Sequence, residues 1–196
     1  MILNENKFRV DQRAVVEENA EIGAGTSIWH FSHVRGGSSI GENCILGRGV
    51  YIDTGVVVGN DCKIQNGAMV YCGVTIGDGV FVGPHAVFTN DMKPRAHLWS
   101  DDRLERTDVK NGVSIGANAT IRCGITLGEW CMIAAGSVVT KDVPPHALMV
   151  GAPARIRGWV TKSGEKLDIE VETGLSGGTF VCKKTGESVT LATFQM

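Results

Sequence analysis

The sequence predicts an all-β protein whose body is a parallel β-helix of hexapeptide repeats. Three observations carry that prediction. An aliphatic residue returns at every sixth position from Val10 almost to Pro144, glycine favours the second position of the hexad, and small or β-branched residues favour the fifth. Such a repeat is the signature of a solenoid, in which each unit buries its apolar face only by stacking on its neighbours.

The aliphatic register runs Val10, Val16, Ile22, Ile28, Val34, Ile40, Leu46, Ile52, Val58, Ile64, Val70, Ile76, Val82 and Phe88, slips once, and resumes as Val109, Ile115, Ile121, Leu127, Ile133 and Val139. Glycine follows at positions such as Gly23, Gly41, Gly47, Gly59, Gly77, Gly83, Gly116 and Gly128, where a tight turn or a positive φ is expected. The fifth position holds Ala14, Ala20, Thr26, Ser32, Ser38, Cys44, Ala68, Ala86, Ala119 and Ser137. This describes one short flat strand and the corner after it. Three hexads close a triangular coil, so residues eighteen apart stack. Coils pile at the strand spacing of about 4.8 Å, and six to seven of them make a prism roughly 30 Å tall.

The break in register lies between Asp91 and Val109. Taking Phe88 to Lys93 as the last hexad leaves fifteen residues, 94–108, extruded from one corner. A long loop inside a regular solenoid is commonly a functional one. The exit sequence places His85, Asn90, Asp91, Lys93 and Arg95 beside Phe88, a concentration of polar groups that reads as a site. The eighteen-residue stack puts His30, Arg48, Asn66 and Pro84 in one outer column, His33, Tyr51, Met69 and Val87 in a second, and Gly36, Thr54, Cys72 and Asn90 in a third. The aromatic cluster from Trp29 to His33 reads as a subunit contact or a ligand shelf.

Composition narrows the function. The chain is 196 residues long with net charge -2, so neither nucleic acid nor an anionic membrane is an expected partner. With no long apolar run and no signal sequence at its start, a cytoplasmic location is expected. Six cysteines fit no secreted disulfide framework. Cys44 and Cys62 fall at core positions as small apolar residues, whereas Cys72 and Cys123 fall at third positions and are expected outside. No cysteine or histidine pair has zinc-ligand spacing, so no metal is expected. Two units are expected: the prism over 1–157, and a small β-rich appendage over 158–196 that alternates polar and apolar residues. In the appendage TKSGEKL and KKTGESV share a Lys-x-Gly-Glu core, which reads as a two-knuckle ribbon capping the last coil.

Several segments carry a resemblance. IWHFSHVRGG (28–37), KIQNGAMVY (63–71), VFVGPHAVFTNDMKPRA (80–96), SIGANATIRCGITLG (114–128), AAGSVVTKDVPPHALMVGAPAR (134–155) and GWVTKSGEKL (158–167) resemble the hexapeptide-repeat acyltransferases. Within them the chain is similar to N-acetyltransferases of nucleotide-linked amino sugars, of the UDP-2-acetamido-3-amino-2,3-dideoxy-glucuronate type. The resemblance implies a left-handed β-helix, a homotrimer with active sites between subunits, acetyl-CoA as co-substrate, and a role in surface polysaccharide (O-antigen) biosynthesis. It places Asn90 at the centre of the site and His85 as the candidate base. His30, His33, Asn66, Asp91, Lys93 and Arg95 would shape the acceptor pocket, and Ala117, Gly136, Ser137, Lys141, Pro153 and Arg155 would border the CoA.

The implied chemistry asks for orientation of two substrates, worth roughly 7–11 kcal/mol, and an oxyanion donor, worth about 3–4 kcal/mol. A sugar amine with a pKa near 8 is partly neutral already, so a strong base is optional. The alternatives are an O-acetyltransferase, which needs a firm base, and a dTDP-3- or 4-amino-6-deoxyhexose N-acyltransferase. A γ-class carbonic anhydrase needs a His-x4-His pair that the five histidines do not form. A non-catalytic scaffold trimer would need neither the polar loop nor the VVTKDVPP segment.

Overall fold

A computed structural model of the chain describes residues 2–3, 8–98, 100–169 and 176–193. It is nearly all β: three parallel sheets wrap one core into a solenoid of about eight turns, with a small antiparallel hairpin near the C-terminus. That is at least one turn more than the six or seven counted from the repeat, because Ala147–Gly151 opens a further turn beyond the last regular hexad.

Each hexad forms a two-residue strand whose second residue points inward. On the first face Arg9, Ser27, Ile45, Lys63 and Phe81 pair in succession, each eighteen residues from the last. On the second face Val15, His33, Tyr51, Met69 and Val87 do the same. On the third, Glu21, Ser39, Val57 and Thr75 stack. Phe81 next pairs with Ser114, and Val87 with Thr120, so the ladder steps over the insertion and continues without shear. The inward residues from Ile28 to Val139 are buried in one continuous cluster that includes Phe88. Val10, Val16 and Ile22, in the first coil of the stack, are half-buried and pack against this cluster.

The glycines divide into two sets with different reasons. Those at the second hexad position do not adopt positive φ, contrary to one half of the expectation; they are needed for close stacking. A Cβ on Gly116 would lie 2.4 Å from the Ala135 nitrogen in the coil above. The left-handed conformation falls two residues further on, at Gly25, Gly67 and Gly136, and also at Asn43, Asp61, His85 and Asn118. Asn and Asp tolerate this conformation, and the side chains of Asn43 and His85 lie over Gly25 and Gly67 of the coil below, where a Cβ would not fit.

Two further expectations change. Thr107 and Asp108, assigned to the loop by the hexad count, belong to the strand Thr107–Val109, paired with Val74–Ile76. The excursion therefore covers residues 89–106. Cys123, expected outside, is fully buried. Its N–H donates to Thr89 Oγ1 at 2.9 Å, and the returning Glu105 packs beside Gly124, so the stem of the loop roofs it over. Cys44 and Cys62 are buried and unbridged, as expected, each thiol donating to the carbonyl of a corner glycine at 3.1 Å.

At the top, Ala154–Trp159 turns back antiparallel on Ala147–Gly151 and closes the first face. This strand runs across position 158, so the appendage continues the last sheet without a break. Glu187 ties its two knuckles together, accepting from Lys162 N at 2.6 Å and Ser163 Oγ at 2.9 Å. Leu167, Val189 and Leu191 join the core of the prism. Among the described residues no helix is long and apolar enough to cross a membrane.

Candidate functional site

Seven of the residues named from the sequence, His30, Asn66, His85, Asn90, Ala117, Gly136 and Lys141, lie along the two edges of the second face. One edge is the corner between the first and second faces. There Gly49 donates to His30 O, Gly67 to Arg48 O, His85 to Asn66 O, Asn118 to Pro84 O and Gly136 to Ala117 O, each at 2.8–3.1 Å. His30, Asn66 and Ala117 thus stand in one column of this corner, and His85 and Gly136 in the column beside it. The other edge is the corner between the second and third faces, where Asn90, Cys123 and Lys141 stack and the loop leaves. Strand Val87–Phe88 separates His85 from Asn90, so one copy of the chain holds the two catalytic candidates at opposite edges of one face.

His85 is exposed, in the left-handed region at φ 57, with its ring over Gly67. Among the described residues no carboxylate hydrogen-bonds it, so nothing fixes its tautomer as a firm base requires. Asn66 serves the corner: its Oδ1 accepts the Arg48 N–H at 2.9 Å, in the space left by Gly47. Asn60, Asp78 and Asn111 make the same bond at a neighbouring corner. Ser137 is buried, its hydroxyl accepts from Gly151 N at 3.2 Å, and its main chain is engaged with Ala134 and Thr120, so it serves the fold and does not border a ligand directly. Lys141, Pro153 and Arg155 are exposed at the top of the prism, and Lys93 and Arg95 are exposed on the loop.

Asn90 is held by the loop stem. Its carbonyl accepts the Glu105 N–H at 3.1 Å, and Asp91 bridges Leu104. The Asp91 carboxylate meets Arg103 Nε at 3.1 Å and Lys93 N at 2.6 Å, while Arg103 also donates to the Lys93 carbonyl. The Arg103 guanidinium first, then the Lys93 N–H, hold Asp91 below the usual carboxylate range. Asp91 is therefore a clasp in the stem. The Asn90 side-chain amide makes no hydrogen bond among the described residues and is free to donate.

Below Asn90 the second face carries a network that sequence reading did not assemble. Glu17 accepts from Gly36 N at 2.9 Å and His33 Nε2 at 2.7 Å, and it forms an ion pair with the Arg35 guanidinium, Nε lying 2.9 Å away. These contacts, the Gly36 N–H first, hold its carboxyl at about 2. Arg35 also reaches Tyr51 OH at 3.3 Å, and Tyr51 donates to Asp53 at 3.1 Å. The Tyr51 and Tyr71 rings lie 5.6 Å apart, an aromatic wall one turn below the loop. The signal was present in the eighteen-residue column Glu17, Arg35, Asp53, Tyr71, which alternates in charge before it ends in an aromatic. Arg35 is thus engaged and is not a spare cation. Among the described residues no cluster of three or more His, Cys, Asp or Glu could hold a metal.

Comparison with known proteins agrees with this architecture. The bacterial transferase hexapeptide pattern (six repeats) matches residues 19–54, 55–90 and 106–141, together more than half of the chain. A 62-residue stretch, 32% of this chain and 32% of the relative, is 55% identical to the dTDP-3-amino-3,6-dideoxy-alpha-D-galactopyranose 3-N-acetyltransferase of Aneurinibacillus thermoaerophilus. Over 142 residues, 72% of this chain and 29% of the relative, it is 33% identical to the bifunctional protein GlmU of Thermosynechococcus vestitus. The chain spans about a third of the length of the curated relatives it matches. Among solved structures, LpxA of Bacteroides fragilis, a UDP-N-acetylglucosamine acyltransferase, superposes with a TM-score of 0.64 at 21% identity, over 78% of this chain and 61% of that one, and so shares the fold. The repeat, the prism it builds and the matched pattern together establish that this chain belongs to the bacterial transferase hexapeptide family.

Proposed function

We propose that the chain is an acetyl-CoA-dependent N-acetyltransferase acting on the amino group, the 3-amino group in our reading, of a nucleotide-linked amino sugar for surface polysaccharide biosynthesis. The observation that carries the reading is the stretch 55% identical to an enzyme named for that reaction. The site agrees with it: a structured loop presents an unpaired Asn90 amide, and no firmly held base stands beside it. In this reading the acceptor amine adds to the thioester carbonyl, the Asn90 amide donates to the oxygen that becomes negative, and the carbon–sulfur bond then breaks to release the CoA thiolate while the amine's proton passes to solvent. Such a donor is worth about 3–4 kcal/mol. The exposed Lys141 and Arg155 would meet the CoA phosphates, and the edge strands at the top of the prism offer main-chain groups to an extended pantetheine.

The placement of His85 and Asn90 at opposite edges supports a threefold assembly in which one copy's first corner faces the next copy's loop. Trp29 and Phe31, 44% and 58% exposed on the lower coils, are apolar surface for such a contact. A hydroxyl acceptor is the weaker alternative because His85 has no orienting carboxylate. The test is thiol release from acetyl-CoA with UDP-linked 3-amino-glucuronate and dTDP-linked 3-amino-3,6-dideoxyhexoses as acceptors. Turnover of either supports the reading. Turnover of neither, with acetyl-CoA bound, overturns it in favour of a hydroxyl acceptor.

A further inference from the structure

Beneath the extruded loop lies a cavity of about 490 Å³, lined by Gly55, Cys72, Gly73, Thr75, Leu104 and Arg106. Its volume is within the range of small-molecule sites. The floor is the corner between the second and third faces, and the roof is the returning arm of the loop. The roof is fixed on both sides of Arg106: Glu105 N donates to Asn90 O at 3.1 Å, and Thr107 N to Gly73 O at 3.0 Å. Cys72 sits directly below Asn90 in the stack, so the cavity opens under the proposed catalytic corner. Gly55 and Gly73 adopt φ 70 and 90 there, leaving the floor without side chains.

The charge of the cavity decides what it would take. Arg106 is the one charged residue of its lining, and among the described residues it makes no ion pair. Of the other cations around the loop stem, Arg35 is held by Glu17 and Arg103 by Asp91, while Lys93, Arg95 and Arg122 do not line this cavity. A site of small and neutral groups with one guanidinium selects a polyhydroxyl body carrying an oxyanion, and the planar fork of arginine matches a carboxylate or phosphate.

We propose that this cavity holds the acceptor and that Arg106 pairs with an anionic oxygen which the acceptor carries, either a carboxylate on the sugar ring or a phosphate of the nucleotide. The inference rests on the N-acetyltransferase reading and adds a specificity residue to it.

The test compares wild type, Arg106→Gln and Thr75→Phe with two nucleotide-linked 3-amino sugars, one with a carboxylate at C6 and one with a methyl group. Arg106→Gln is expected to raise KM about 10–100-fold, the cost of losing a charged hydrogen bond, with kcat little changed. A rise confined to the carboxylate-bearing acceptor assigns the ring carboxylate, and a rise with both assigns the phosphate. Thr75→Phe fills the cavity from its wall without touching Arg106 and is expected to raise KM for both. The partly exposed Cys72 gives a readout apart from turnover. UDP or glucuronate is expected to slow its alkylation by N-ethylmaleimide in wild type and not in Arg106→Gln. Normal KM values in Arg106→Gln with both acceptors overturn the inference and leave the proposed function standing. Arg106-dependent protection of Cys72 without turnover of any amino sugar keeps the anion site and overturns the proposed reaction. Neither effect overturns both.

Discussion

Arg103 clasps Asp91 across the neck of the loop, Nε to Oδ2 at 3.1 Å, with the Asp91 side chain only 7% exposed. This pair closes the stem one residue beyond Asn90, so it sets the direction of the Asn90 amide without touching a substrate. Arg103→Ala is expected to lower kcat about 10–100-fold, the scale of a small misplacement in an active site. The thermal midpoint should hardly move, because the stem lies outside the stacked core. Steady-state kinetics beside a melting curve checks this, and a variant with full kcat removes the positioning role.

Stacking makes a sharp distinction between glycines. Gly116→Ala puts a methyl group 2.4 Å from the Ala135 nitrogen and is expected to destabilise by roughly 1–3 kcal/mol. Gly79→Asn should be near neutral: nothing lies within 4 Å of a Cβ there, and Asn43 and Asp61 hold the same corner two coils and one coil below at φ 56 and 57. Denaturant titration of both variants measures the contrast. Equal losses would refute the stacking argument.

Acid stability carries a signature of Glu17. Its folded-state pKa is depressed from 4.5 to about 2, so its contribution is fully present above pH 4.5 and is lost as pH falls through 2. Glu17→Gln is expected to flatten that acid limb. Stability measured from pH 6 to pH 2 for both proteins reads the difference, and identical acid limbs would count against the His33–Glu17–Arg35 network.

Thiol accessibility is equally specific. Cys72 is partly exposed, while Cys44, Cys62, Cys123, Cys131 and Cys182 are buried, and burial pushes the Cys131 thiol up to about 12. Native protein is expected to show one fast-reacting thiol, absent in Cys72→Ser. A fast thiol that survives Cys72→Ser in a spectrophotometric titration would show that one of the other five is not covered.

If the reaction runs through a neutral amine whose proton passes to solvent, Asn90→Ala is expected to lower kcat about 100–1,000-fold while His85→Ala keeps most of its activity. Steady-state kinetics of the two variants checks this, and loss of nearly all activity in His85→Ala would favour a hydroxyl acceptor instead.

The fold was legible because period and geometry are the same thing in a solenoid. An aliphatic residue every six positions can be satisfied only by a coil that returns inward every six, so the buried row from Ile28 to Val139 follows from the register alone. The loop was legible as a break in that register, and Asn90 as the polar residue at its exit. The corner role of Asn66, the burial of Cys123 and the Asp91–Arg103 clasp were not legible, since each depends on what sits one coil away or across the loop. Stacking at eighteen residues names the column but not the direction in which a side chain turns.

By itself the sequence determined the solenoid, its single core and the position of its one interruption, because apolar burial at a fixed period admits one arrangement. Only the tertiary structure decided which polar residues are spent on the fold and which remain for chemistry. Arg35 and Asp91 are held by partners, while Asn90 and Arg106 are left unpaired on either side of the same loop stem. The reason is physical: hydrogen bonds and ion pairs act over about 3 Å, so their partners are fixed by the closure of the loop and not by the period of the chain.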